Sequence, residues 1–463
     1  MDGRRKIMKL EYVLAYFLVV AIMVSCGVKE DSSKPETMQE TQKTQPEKEH
    51  EKGTNTQELP YEEIPFISSY GEKIEPKKSE EIKSKDKYWK FEVKYEPKPN
   101  EKKTSLYNAP GFEGKGELAK KWTTTLEELK AWHIGAYPQS WQFDRSIIDP
   151  KTGNILQHNA PPAGETDGKR VYGIDYNRGF LPLDCWELDN YKHLWDGPWA
   201  LAGEHHISTI KGALLHASRP GPAFIYRLDP ETGQTLWQLK SSGDSGYAKW
   251  CSSDNYFIAS INFTEIDSDS KMIKSYVFRI DPITGKNDSI ELSRKGVQGM
   301  ACIGNNLWIQ TVDAHLLCVD LTTMKETKDI KINHSSSNLD KSLISWIENL
   351  TYQTGNKLLL VIYSNSDRIP SEYILFDTLS GRQTVLSKPA PETSNYIPKV
   401  SIINGSLIYQ DSPTQLRGVD PETLETLWWI DKKDLGENAH VAWLDWRGVC
   451  VISDTKIMCF GPK

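Results

Sequence analysis

The sequence predicts an all-β fold, a β-propeller of four-stranded antiparallel blades, and three observations carry that reading. The phrase LDPETGQTLW at 228–237 returns as VDPETLETLW at 419–428, identical at seven of ten positions. With weaker copies between and before them, the phrase marks the chain at Asp149, Asp189, Asp229, Asp281, Asp320, Asp377 and Asp420, with gaps of 40, 40, 52, 39, 57 and 43 residues, which are blade-sized steps. Between the markers the pattern reads strand, turn, strand, Asp-turn, strand, and only TLEELKAW at 125–132 hints at a helical period.

Taken from the N-terminus, the first element is an export signal over 1–25. Arg4, Arg5, Lys6 and Lys9 precede the apolar run Tyr12–Val24, about thirteen residues. That is short against the ~20 a membrane span needs and fits a secretory h-region. The run ends in MVSC, which resembles the lipobox of bacterial lipoproteins, with Met23 where Leu is usual. The resemblance implies that Cys26 is the acylated (palmitate-type) N-terminus of the mature chain. The alternative is an ordinary signal peptide with a chance cysteine.

Residues 26–115 read as a charged, largely disordered tether. Glu, Lys, Gln, Thr and Pro dominate from Gly27 to Pro60 without one aromatic residue, too little to offset the entropy of ordering. As a random coil its first eighty or so residues would reach ~50 Å. Lys29, Glu30 and Asp31 resemble the acidic surface-export signal of some Gram-negative lipoproteins. One stretch is different: in YWKFEVKYE (88–96) Trp89, Phe91, Val93 and Tyr95 alternate with charged residues, predicting a half-buried strand that docks at an unspecified place on the folded domain.

The propeller occupies 116–463. Its repeated phrase is a hairpin corner: an apolar residue ends one strand, the Asp side chain accepts from the turn, Pro230 and Pro421 pre-set φ, and Gly at the fifth position supplies φ > 0. LAKKWTTTL (118–126) looks like an outer strand with nothing ahead of it, while 440–460 supplies inner strands and stops before an outer one. Pairing the two termini closes the ring with eight blades, or with seven if the compressed segment 131–165 is not a full blade. In GVCVISDTKIMCF a two-residue turn at Asp454–Thr455 sets Cys450 opposite Cys459, as a disulfide or as two buried thiols, and export permits either. The pairing of the remaining cysteines is not deducible from spacing.

The pattern apolar-x-Asp-x-x-Thr-Gly-x-x-x-Trp resembles the tryptophan-docking motif of pyrroloquinoline-quinone-type (quinoprotein-like) propeller repeats. Asp229, Thr232, Gly233 and Trp237 match it fully; Asp420, Thr423 and Trp428 match with Leu424 in place of Gly. The resemblance implies that the Trp of one blade packs on the Gly peptide of the neighbouring motif and that Asp bonds the turn Thr. It covers three-quarters of the chain and speaks to fold more than chemistry. With its lipid anchor the chain is also similar to the propeller lipoprotein family of the outer-membrane β-barrel assembly machinery, from which it departs by the long tether and the irregular repeats near Asp281 and Asp377.

Function classes follow from what the chain carries. The formal charge of −7 becomes about −9 once 1–25, with four basic and two acidic residues, is removed, and no basic stripe points to nucleic acid. Quinoprotein dehydrogenases bring an adjacent cysteine pair, a calcium site and an aspartate base; this chain has no Cys-Cys dipeptide. His205 and His206 would face opposite sides of a strand, and Glu265, Asp267 and Asp269 read as a solvated hairpin tip rather than a Ca²⁺ loop. No G-x-S-x-G, H-E-x-x-H or phosphate-binding glycine loop occurs. The expectation is therefore a non-catalytic scaffold for envelope proteins, with no catalytic residue, cofactor or metal. It is anchored by its lipid in the outer membrane, in the periplasmic or the surface leaflet, and outer-membrane protein assembly is one such role. The alternative is a propeller that binds a saccharide or small molecule, or an enzyme of another type.

Overall fold

The computed structural model describes residues 89–94, 102–126, 134–143, 145–174, 181–200, 205–218, 223–241, 246–267, 270–334, 351–364, 369–387, 399–410, 414–435, 438–453 and 455–463. The signal stretch, Cys26 and most of the tether lie outside these residues, as do 127–132 of TLEELKAW.

The described strands form five four-stranded sheets, one five-stranded sheet and one of eight strands. The eight-stranded sheet divides at its single parallel contact, Gly116–Glu117 against Trp428–Trp429, into two groups of four. In chain order the units are sheet 1 (134–157), sheet 2 (164–200), sheet 3 (205–241), sheet 4 (246–291), sheet 5 (297–331), sheet 6 (351–387), sheet 7 (399–431) and sheet 8 (440–462 with 116–125). The compressed segment 131–165 does hold a four-stranded meander, sheet 1, whose strands are only three residues each.

Each sheet is covered on both faces by its neighbours, which explains the composition of its strands. Middle strands such as Ala213–Ser218 and Gly448–Ser453 are buried along their whole length, and strands covered on both faces read as continuous apolar runs. An outer strand such as Lys325–Lys331 (KETKDIK) is mostly exposed. The hydrophobic clusters lie between successive sheets: Trp250 and Phe257 of sheet 4 pack with Ile225 and Leu239 of sheet 3, and Trp308 of sheet 5 with Phe376 of sheet 6. One cluster joins the two ends of the series, setting Cys450, Ile452 and Trp122 of sheet 8 against Trp141 and Phe143 of sheet 1. First strands also run side by side, 246–252 next to 297–303 and 297–303 next to 351–354.

Sheet 8 is assembled from both ends of the domain. Gly116–Thr125 pairs antiparallel with Lys456–Pro462, from Leu118↔Pro462 to Thr125↔Lys456. In the same sheet Cys450 stands opposite Cys459. Both are buried, and Cys459 Sγ lies 3.9 Å from the Phe460 carbonyl.

The strand expected within 88–96 also has a place. Trp89–Val93 pairs antiparallel with Thr235–Ser241 and makes sheet 3 five-stranded. Trp89 is buried, edge-on to Phe278 at 5.5 Å, while Lys90 and Val93 face water. The added strand satisfies an outer edge that would otherwise present unpaired N–H and C=O groups.

Candidate functional site

The repeated phrase builds the corners between sheets. At Asp229 the carboxylate accepts from Glu231 N at 2.8 Å, and Gly233, with φ of 70°, donates its N–H to the Asp229 carbonyl at 2.8 Å. At Asp281 the carboxylate accepts from the Thr284 hydroxyl at 3.0 Å as well as from Ile283 N and Thr284 N. Burial raises the Asp281 carboxyl, but these hydrogen bonds outweigh it and hold the group below its usual range. Asp420 accepts from Glu422 N at 2.7 Å and Thr423 N at 3.0 Å, and Leu424 takes the glycine conformation with φ of 62°.

Tryptophan then bridges one corner to the next sheet. Trp237 of sheet 3 donates Nε1–H to the Ile283 carbonyl at 3.1 Å, in the Asp281 turn of sheet 4, and its ring lies over Gly285. Phe91 from the added strand covers the same glycine, 6.2 Å from the Trp237 ring. Trp195 of sheet 2 does the same to sheet 3, donating to the Pro230 carbonyl at 3.2 Å; a Cβ on Gly233 would come within 2.4 Å of its Cε3. Trp122 of sheet 8 donates to the Pro150 carbonyl of sheet 1 at 2.8 Å and covers Gly153. Trp428 is placed differently: it packs on Gly418 of the adjacent strand and edge-on to Phe112 at 6.0 Å.

Trp195 was missed as a docking residue because the sequence marker in sheet 2 is out of phase, and Trp122 because its strand is far in sequence from the rest of sheet 8. Tyr191, with φ of 56°, donates to the Glu187 carbonyl at 2.9 Å, as Gly233 does to Asp229. Asn190 bonds the Glu187 carboxylate and accepts from Lys192 N, taking the role of Thr. The marker of sheet 2 is therefore Glu187, not Asp189, and Trp195 then sits in the place that Trp237 holds after Asp229.

Cations also bridge corners to neighbouring sheets. Arg279 of sheet 4 donates to the Thr322 carbonyl in the Asp320 turn at 2.9 Å, and Lys357 of sheet 6 pairs with its own corner Asp377 and with Glu422 of sheet 7 at 2.8 Å. Between sheets 8 and 1, Asp445 is buried completely. It accepts from Trp141 Nε1 at 2.8 Å and pairs with Arg447, whose Nη1 also donates to the Tyr137 carbonyl at 2.7 Å. Burial raises the Asp445 carboxyl, but the hydrogen bonds from Arg447 and Trp141 and the Arg447 charge bring it below its usual range.

The candidate metal-ligating residues separate as their strand position requires. His205 Nδ1 meets His216 Nε2 at 3.1 Å, while His206 faces Ser252 and Phe257. Burial pushes His206 down to about 4 and His216 well below its usual value. Glu265 and Asp267 fall in the strand Phe257–Asp267, and Asp269 lies outside the described residues. A cluster that the sequence did not announce is Asp184, His193 and Asp196, whose ligand atoms lie within 4.8 Å of one another. Asp184 and Asp196 are opposed in register between two irregularities, a juxtaposition that spacing alone does not reveal. Two carboxylates and an imidazole are donors that divalent cations accept.

The chain resembles solved propellers. The quinohemoprotein alcohol dehydrogenase of Comamonas testosteroni aligns with a TM-score of 0.50 at 10% identity, over 79% of this chain and 82% of that one. BamB of Moraxella catarrhalis aligns with a TM-score of 0.42 at 12% identity, over 74% and 99%. No protein-family model and no curated protein matches the sequence. The fold class these sheets and the dehydrogenase likeness define is a β-propeller.

Proposed function

We propose that the chain is a non-catalytic β-propeller scaffold for protein–protein interaction at the cell envelope, closed as an eight-bladed ring through its terminal strands and held to the outer membrane by lipidated Cys26. Closure is supported by the pairing of 116–125 with 456–462 and by the cluster between sheets 8 and 1. The observation that carries the binding role is Trp446. It is 52% exposed on the tight turn after Asp445. That turn is fixed from both sides, by the buried Asp445–Arg447 pair and by the Trp446 N–H donating to the Pro110 carbonyl at 3.0 Å. A rigidly held, half-exposed indole is the kind of anchor on which protein interfaces concentrate their binding energy.

Outer-membrane protein assembly is the first role to test. The full-length chain, tagged and crosslinked in cells, is captured beside Trp446→Ala and an unrelated lipidated control. Recovery of barrel-assembly proteins with the native chain and their loss with Trp446→Ala supports the reading. Equal recovery with the control, at good bait yield, sinks the assembly role.

A further inference from the structure

Cys251 and Cys302 are brought together by the packing of two sheets and by nothing in their sequence spacing. Cys251 lies in the first strand of sheet 4, Gly246–Ser252, opposite Ile258; Cys302 lies in the first strand of sheet 5, Val297–Ile303, opposite Leu307. These two strands run beside each other, and the thiols face across the seam with Sγ···Sγ of 3.4 Å. A disulfide needs about 2.05 Å between sulfurs, so closure asks for an approach of somewhat over 1 Å, within reach of small side-chain rotations at a junction between separate sheets. Both residues are only half-buried, unlike Cys185, Cys318, Cys450 and Cys459.

We propose that Cys251 and Cys302 are a built site for disulfide formation, a covalent staple between the fourth and fifth sheets. The oxidant is a disulfide of the glutathione or protein dithiol–disulfide class. One cysteine thiolate attacks a sulfur of the donor RSSR and releases RS⁻, giving a mixed disulfide. The second cysteine thiolate then attacks the protein sulfur of that intermediate and displaces the other RS⁻. The sulfur–sulfur bond of the donor is broken, one forms between Cys251 and Cys302, and two protons and two electrons end on two RSH molecules. The hydrogen bond between the two thiols, then burial, raises the Cys251 thiol well above its ordinary value, so exchange is faster in mildly alkaline solution.

The staple stands apart from the envelope-scaffold reading and is tested on the purified full-length chain without its partners. The chain is incubated with oxidised glutathione at about pH 8.5, digested without reduction and mapped by mass spectrometry. The expected result is one linked pair of peptides carrying Cys251 and Cys302 and a mass loss of about two hydrogens. Closing a loop of that length is expected to raise Tm by about 5 °C, and dithiothreitol reverses the rise. Cys302→Ser should hold glutathione on Cys251 and lose the Tm rise while folding normally. Separate glutathione adducts on the two native cysteines, or links to other cysteines in their place, would overturn the proposal.

Discussion

Gly233→Ala measures what one docked tryptophan contributes to the packing of one sheet on the next. Gly233 has φ of 70°, and a new Cβ would lie 2.4 Å from Trp195 Cε3 and 2.6 Å from Cδ2. Two costs therefore add: about 1–2 kcal/mol for a non-glycine residue in the left-handed region, and about 1–3 kcal/mol for overpacking against an indole that cannot retreat without leaving the Pro230 carbonyl. Gly381 supplies the control, since it occupies the same place after Asp377 with φ of 73°, but a Cβ added there would meet nothing within 4 Å. Gly381→Ala should cost the backbone term alone. In urea unfolding of the full chain, Gly233→Ala is expected to lose about 2–5 kcal/mol and Gly381→Ala about 1–2 kcal/mol. In a Trp195→Ala background the Gly233→Ala cost should fall to that of Gly381→Ala. Equal costs for the two glycines in the native background would refute the docking argument.

Three further outcomes are expected. Leu424→Gly should stabilise by about 0.5–1 kcal/mol, because Leu424 is 38% exposed and held at φ of 62°; a loss of stability in thermal unfolding would show that its packing matters more than its strain. Asp445→Asn should cost about 3–5 kcal/mol by leaving Arg447 buried without its counter-charge, whereas Asp288→Asn, which breaks an exposed pair with Arg279, should cost under about 1 kcal/mol; similar Tm values for the two variants would count against this. Burial lowers His206 to about 4 and also holds His216 well below its ordinary value, so the unfolded chain, with ordinary values near 6.5, binds more protons through that window. Stability should therefore rise with pH from about 4 to 6.5 and fall as acid is added, by at most about 3 kcal/mol for His206. His206→Gln should flatten the Tm–pH curve between pH 4.5 and 6.5, and an unchanged slope would remove His206 from the account.

The sheets were legible in the sequence because each corner spends the same few residues on the same geometry. Asp, Gly and the Trp eight positions on can be counted directly, and the copies at Asp229 and Asp281 lie where they were expected. What escaped was anything set by register across sheets. The phase of sheet 2 was lost because Glu187, Asn190 and Tyr191 fill the roles of Asp, Thr and Gly, and the nearby Asp189 offered a false marker. The Asp184–His193–Asp196 cluster was invisible because it depends on the irregular register of one hairpin, and the Cys251–Cys302 contact because its members meet only once sheets are stacked.

The weak copies of the phrase are explained by the same geometry. A corner needs a donor from the preceding sheet to reach the carbonyls of the Asp turn, and an indole lying on a glycine is one way to supply it. Where the glycine is absent, as at Met324 with φ of 52°, a flat ring has no bare peptide to lie on. Arg279 serves there instead, because a guanidinium on a long stem reaches the turn carbonyls from outside. The indole-held corners of sheets 8 to 1, 2 to 3 and 3 to 4 thus give way at sheets 4 to 5 to a corner held by Arg279, a role that Arg227 shares with Trp237 at the Asp281 turn. The added strand sits within the indole-held part, where Phe91 seals the Trp237–Gly285 corner. The strand Trp89–Val93 is thereby tied to the corner on which sheets 3 and 4 meet, through Trp89 against Phe278 and Phe91 against Trp237.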